Sequence, residues 1–224
     1  MKKVLVCPLD WGLGHATRCI PVIRELEKQG AEVLLASSGE AGLILMGEFP
    51  TNSYFELPSN DPKYATNGSM MLKMMLQLPK FIRVRNSEHR IIEELVRKYT
   101  IDIVISDNRY GCYSATASSI FISHQPGILM PKGWSFMKQF VDAFSLRQIR
   151  KFQEVWIPDK KGSGLTSPFG TETVPSGKYI GWLSRFHFED IAEQEYELIG
   201  IVSGPEPQRT IFADKLLIEL IHEI

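Results

Sequence analysis

Pro8-Leu9-Asp10-Trp11-Gly12-Leu13-Gly14-His15-Ala16-Thr17-Arg18 packs glycine, histidine, aspartate and arginine into eleven positions. Gly12 and Gly14 allow a tight turn and a close backbone approach to a ligand. If a helix begins here, its free N–H groups and positive dipole end favour an anion such as a phosphate. His15 follows the second glycine directly, and histidine is the side chain suited to proton transfer near neutral pH. Packing alone asks for neither His15 nor the Thr17-Arg18 pair. Two more polar clusters follow apolar runs: Ser106-Asp107-Asn108-Arg109-Tyr110-Gly111 after Ile101–Ile105, and Ser123-His124-Gln125-Pro126 after Ile120–Ile122. Taken singly, each has a plainer explanation. A Gly-x-Gly makes a tight turn, an Asp after a strand caps a helix, and a His is often a satisfied structural group. Together they would converge on one rim, because ligands of open parallel sheets bind outside the carboxyl ends of the strands.

Other phosphate motifs fit poorly. A dinucleotide fingerprint wants Gly or Ala where Thr17 stands, and an acid where Ser37-Ser38-Gly39 ends the second strand. No Lys-Ser/Thr follows the glycines, so a P-loop is excluded. No carboxylate pair has metal-ligand spacing, so no metal is implied. Cys7, Cys19 and Cys112 form no C-x-x-C pair and read as reduced thiols of a cytoplasmic protein.

The elements that must carry these residues alternate. Strands are expected at Lys3–Pro8, Glu32–Ser37, Ser53–Leu57, Ile101–Ser106, Ser119–Ser123, Glu154–Ile157 and Lys178–Gly181. Helices are expected near 16–29, 40–47, 70–77, 80–99 and 134–152. Continuous apolar strands alternating with helices imply an α/β fold, a Rossmann-like parallel sheet covered on both faces. Pro21 denies the first helix one backbone bond, so an irregular first turn is expected. Residues 160–177, rich in Gly, Ser, Thr and Pro, read as a loop. Beyond it, Leu198–Val202 reads as a strand and Arg209–Ile224 as an amphipathic helix, an incomplete βα unit.

The chain has 224 residues, a formal charge of -1 and a mean hydropathy of -0.08. No apolar run approaches the ~18 residues of a membrane span, and Met1-Lys2-Lys3 with its short strand is no secretory signal. The near-zero charge speaks against nucleic acid as a partner. Charge is uneven: net +5 over residues 1–184 and -6 over 185–224. That shift suggests one domain over 1–185 and a linker with the start of another over 186–224.

The ordered set Gly12-Leu13-Gly14-His15-Ala16-Thr17-Arg18, Asp107-Asn108-Arg109-Tyr110-Gly111, Ile157-Pro158-Asp159 and Ser203-Gly204-Pro205-Glu206-Pro207-Gln208-Arg209 resembles bacterial glycosyltransferases of the GT-B fold. Among these it is similar to the N-acetylglucosaminyltransferases that act on lipid-linked peptidoglycan precursors. The resemblance implies two Rossmann-like domains facing across a cleft, the first binding the acceptor and the second a nucleotide sugar. It implies that residues 1–185 are the acceptor-binding domain. Residues 186–224 would begin a truncated donor domain, leaving this chain alone inactive. The implied reaction transfers a hexosyl or N-acetylhexosaminyl group to an acceptor hydroxyl, with the nucleotide sugar as substrate and no cofactor. Such transfer needs a base and positive partial charge for the leaving diphosphate. The catalytic candidates are His15 and Asp107, with Asp10 a competing base and Asp107 alternatively an orienter of His15. Gly12, Gly14, Arg18, Asn108, Arg109, His124 and Gln125 are the candidates for substrate and phosphate binding.

Two further expectations concern partners. Ser69–Pro79 is a Met-rich apolar stretch interrupted only by Lys73 and Gln77, and residues 70–98 carry net +4. Residues 69–85 could rest on a membrane surface or hold a lipid-linked acceptor, a peripheral location at the inner membrane face; a buried core helix is the alternative. The terminal unit could pair two copies into a homodimer through an unpaired strand edge. Two other functions share these residues. A nucleotide-sugar hydrolase would use a similar Gly-x-Gly-His loop to activate water, and a non-catalytic remnant would only bind.

Overall fold

The computed structural model describes residues 1–59, 61, 70–123, 136, 138–162, 177–186, 199–204, 206 and 208–223. Among the described residues, seven strands form one parallel sheet: β1 (Lys3–Pro8), β2 (Glu32–Ser37), β3 (Tyr54–Glu56), β4 (Ile103–Asp107), β5 (Ser118–Ile122), β6 (Glu154–Ile157) and β7 (Gly177–Tyr179). Their spatial order is β3-β2-β1-β4-β5-β6-β7. The order reverses direction between β1 and β4, so the crevice at the sheet's carboxyl edge opens there. Residues 8–18 and 107–111 leave the sheet at that point. The central strands are apolar on both faces, as a doubly covered parallel sheet requires.

Alternation along the strands splits the core in two. Val4, Val6, Val33, Leu35, Ile105 and Ile122 face α1 (Leu13–Lys28) and α2 (Gly39–Glu48). Leu5, Cys7, Leu34 and Val104 face the other way, toward Ile92, Leu95 and Val96 of α3 (Met70–Tyr99). Phe121 and Val155 extend that second face toward Ile149 of α4 (Lys138–Ile149). α1 buries Ile20 and Ile23 completely, each worth about 1.5–3 kcal/mol, and Gly30 ends its turn at φ +82°. Pro21 lies in the interior of α1 rather than near its start, and the helix continues through it.

Two expectations are corrected. The segments 70–77 and 80–99 are one helix, α3, with Pro79 inside it. Proline costs one backbone bond, but Pro79 is exposed, so water can serve the carbonyl left unbonded. Among the described residues, 199–202 make no sheet pairing, and no strand lies beyond β7 to receive them. The rest of the expected strand, Leu198, lies outside the described residues. Gly200 instead approaches Leu216 of α5 (Gln208–Glu223).

α3 outruns the sheet. Its 30 residues span about 45 Å at 1.5 Å each, whereas the five-residue β4 spans about 17 Å. The buried positions Glu88, Ile92, Leu95 and Val96 lie in its second half. The first half therefore overhangs the carboxyl edge, where a helix entering a parallel strand must begin. There Met75, Leu76, Leu78 and Ile82 are exposed, Leu76 at 74%. This corrects the buried-helix alternative for these side chains. Among the described residues no helix is long and apolar enough to cross a membrane.

Where α3 meets the loop after β4 the fit is close. A Cβ on Gly111 would lie 2.4 Å from the Arg85 carbonyl oxygen and 2.5 Å from Glu88 Oε2. Gly111→Ala is expected to cost about 1–3 kcal/mol, the usual range for overpacking. The check is urea unfolding, with a lower midpoint at unchanged slope; a parental midpoint would contradict the packing.

Candidate active site

The loop after β1 turns at Gly12, whose φ of 87° and ψ of 164° are open in practice only to glycine. Gly12, the N-cap residue of α1, makes no side-chain cap, so among the described residues the first N–H groups are left for other acceptors. Gly14 has no positive φ, and a Cβ there would meet nothing within 4 Å. Its absent side chain leaves room rather than freedom: Gly14 lines a cavity of about 310 Å³ with Thr17, Arg18, Leu183, Ser184, Arg185 and Phe186.

His15 and Arg18 stand one helical turn apart and meet Asp107 at the end of β4. His15 Nδ1 lies 2.9 Å from Asp107 Oδ1. Arg18 closes a two-pronged bond on the same carboxylate, Nε to Oδ2 and Nη2 to Oδ1. The Cys19 thiol reaches Oδ2 at 3.6 Å. Asp107 is fully buried, while His15 keeps 15% of its side chain exposed. Burial alone would raise the Asp107 carboxyl, but the bonds from Arg18 and His15 outweigh it and hold the group below the usual carboxylate range. Burial pushes the Cys19 thiol well up, with Asp107 adding to the effect. Asp107 thus stays ionised, and His15 is a partly accessible imidazole oriented by it.

Asn108 adopts φ +58°, a left-handed conformation that Asn tolerates better than most residues. The kink sends the next side chain to the opposite side of the sheet. Arg109 is 1% exposed and turned wholly inward. Its Nε donates to the Pro8 carbonyl at 2.9 Å, Nη1 to Pro58 O at 3.1 Å and Glu88 Oε1 at 2.7 Å, and Nη2 to Ser38 Oγ at 2.5 Å. Nη2 also pairs with Asp10 Oδ1 at 3.3 Å, and Ser38 Oγ donates to Asp10 Oδ2 at 2.9 Å. Arg109 is therefore held away from the cleft, and Asp10 is occupied beside it. Burial raises the Glu88 carboxyl, with Arg109 pulling against it.

Of the expected residues, the fold brings Gly12, Gly14, His15, Arg18, Asp107 and Asn108 to one rim. It directs Arg18 at Asp107 and Arg109 into the interior. His124 and Gln125 lie outside the described residues. Sequence reasoning missed the wall formed by Leu183–Phe186. Gly181, at φ +81°, turns the chain off β7 toward α1, and Leu183 packs on the core beneath; Gly181 is the one signal that could have revealed this. Among the described residues no group of three or more His, Cys, Asp or Glu side chains could hold a metal ion.

Arg109→Met is expected to destabilise the fold by about 3–5 kcal/mol, because it strands buried Asp10 and Glu88 without their countercharge. Adding Glu88→Gln should recover part of the loss. Chemical denaturation of the three proteins tests this, and an Arg109→Met midpoint equal to the parent's would contradict it.

No protein-family model matches the chain, and no curated protein does. Solved structures do. The chain is similar to UGT2 of Phytolacca americana complexed with UDP-2-fluoro-glucose and pterostilbene, at 12% identity and a TM-score of 0.55, over 82% of this chain and 55% of that one. The apo form of UGT2 gives 13% identity and a TM-score of 0.53, over 82% and 52%. MurG of Acinetobacter baumannii is also matched, at 12% identity and a TM-score of 0.43, over 72% and 42%. The chain spans about half the length of these structures. At such identities the UGT2 likeness speaks for the fold: an α/β, Rossmann-like parallel sheet as found in glycosyltransferases of the GT-B architecture.

Proposed function

We propose that this chain is the acceptor side of a glycosyltransferase and that His15 is its base. The observation that carries the reading is His15 Nδ1 2.9 Å from buried, ionised Asp107. With Nδ1 keeping its proton and donating it in a hydrogen bond to Asp107 Oδ1, Nε2 is left with its lone pair. Nε2 takes the proton of an acceptor hydroxyl as that oxygen bonds to the anomeric carbon of a nucleotide sugar. The bond from that carbon to the diphosphate breaks, and the nucleoside diphosphate leaves with the electron pair. The uncapped start of α1, opened by Gly12 and Gly14, supplies positive partial charge for the departing anion. Asp107 and Asp10 are poorer bases here, since each is buried and engaged by an arginine. The transferred group is a hexosyl or N-acetylhexosaminyl unit, and the sugar nucleotide is substrate rather than cofactor. UGT2, the neighbour with the fuller coverage, is a protein solved with a UDP-sugar analogue. A hydrolase, with water in place of the acceptor, would use the same pair.

In the intact enzyme, His15→Ala is expected to lower kcat about 10²–10⁴-fold, with little change in acceptor affinity. Nucleoside diphosphate release is assayed from uridine and thymidine diphosphate hexoses, with and without acceptor. Turnover within a few-fold of the parent would reject His15 as base. Full turnover without any acceptor would favour the hydrolase.

We also propose that the overhanging half of α3 rests on an anionic lipid surface, which would present a lipid-linked acceptor to the cleft. Exposed Met75, Leu76, Leu78 and Ile82 stand beside exposed Lys80 and Arg83, the pairing that favours interfacial binding. α3 and α4 both enter parallel strands and cover the same sheet face, and Arg85 Nη1 bonds Gln148 Oε1 at 2.6 Å between them. Phe140, 72% exposed at the start of α4, extends the patch. Co-sedimentation with phosphatidylglycerol vesicles should fall at least about fivefold for Leu76→Asp/Leu78→Asp, and high salt should weaken the parent. Equal sedimentation would reject the surface. Light scattering separates this from self-association through α5, which exposes Ile211, Phe212, Leu217 and Ile218.

A further inference from the structure

Arg18 stands where a phosphate-binding cation is expected, yet its guanidinium is committed to Asp107. Its side chain is only 15% exposed. Burial weakens its charge, and the Asp107 bond more than restores it. A carboxylate offers about four lone-pair sites. Asp107 meets Arg18 Nε, Arg18 Nη2, His15 Nδ1 and the Cys19 thiol. Four donors therefore fill the carboxylate, provided that the His15 proton sits on Nδ1. Arg18 Nη2 is also 2.9 Å from His15 Nδ1. With the proton on Nδ1, the three atoms Nδ1, Nη2 and Oδ1 form a triangle in which the oxygen accepts from both nitrogens, since a guanidinium only donates.

We infer that Arg18 is a positioning residue for His15: its fork fixes the Asp107 carboxylate so that the ring keeps its proton on Nδ1 and presents Nε2 bare. This deepens the glycosyl-transfer reading and rests on it for its catalytic meaning. Two consequences follow from the triangle. The fork holds the carboxylate plane, so Oδ1 cannot swing away from the ring. Its charge also offsets that of Asp107, so the carboxylate beside the ring is not an unopposed anion. After Nε2 has taken a proton from a hydroxyl, the guanidinium 2.9 Å from Nδ1 favours giving it up again, which resets the base.

The test uses the 224-residue chain labelled with ¹⁵N-histidine. Long-range ¹H–¹⁵N correlation identifies which ring nitrogen carries the proton and follows the titration of His15. The parent is expected to carry it on Nδ1 at neutral pH. Arg18→Gln should raise the ring's proton affinity about tenfold, one unit of midpoint, and mix the two tautomers. Asp107→Asn, the opposite charge change, should lower that affinity. Arg18→Lys keeps the charge but not the fork, so it should fall between parent and Arg18→Gln in midpoint and still mix the tautomers. If Arg18→Gln does not fold, by circular dichroism, Arg18→Lys carries the test. A parent resting with its proton on Nε2 would overturn the proposal. So would a foldable Arg18 variant with the parental tautomer and a midpoint within twofold in affinity. In the intact enzyme the acid limb of the pH–rate profile should move up with Arg18→Gln while KM for the acceptor holds. Because the titration needs no substrate, a confirmed shift alongside an active His15→Ala enzyme would fault only the glycosyl-transfer reading.

Discussion

One buried guanidinium ties the carboxyl edge of the sheet together. Arg109 reaches the carbonyl ending β1, the residue ahead of α2, the loop after β3 and the middle of α3. A charge so deep is tolerable only when every donor is used and countercharges lie near, and Asp10 and Glu88 supply them. Four separate segments must therefore agree on one position before the group is satisfied. The loop carrying Gly12, Gly14 and His15 inherits that agreement, because Pro8 and Asp10 at its root are two of the partners.

The left-handed Asn108 divides the work of its neighbours. Asp107 follows the strand alternation toward α1, where His15 and Arg18 wait. Arg109, past the kink, turns toward α3. Two buried ion clusters of opposite task thus sit back to back across one backbone. The inner cluster locks the elements, and the outer one orients an imidazole that keeps contact with solvent. The rigidity of the first is what lets the second hold its geometry with a single oriented carboxylate.

The parallel sheet, its strand positions and the loops that line its rim were legible because apolar runs and Gly-x-Gly loops are local signals. β1, β2 and β6 begin and end where the sequence pattern puts them. The roles of the two arginines were not legible. Arg18 and Arg109 look alike as cations after a strand or glycine loop, and only tertiary burial reveals that both face inward. Pro79 misled in the opposite sense, since a local breaker inside α3 yields to thirty residues of favourable periodicity around it. Leu183–Phe186 carries no chemical signature, because its part depends on where β7 delivers the chain. The charge step near residue 185 falls within a wall of the cavity.

That wall has mechanical character. Trp182 is anchored by its Nε1 bond to Asp159 Oδ1 at 2.9 Å, and Leu183 is pressed onto the core. Beyond that fulcrum, Ser184, Arg185 and Phe186 form a short arm over the start of α1. The opposite wall belongs to a helix fixed on the sheet. The aperture above Gly14 and Thr17 is therefore bounded on one side by a helix fixed on the sheet and on the other by three residues held at their root alone.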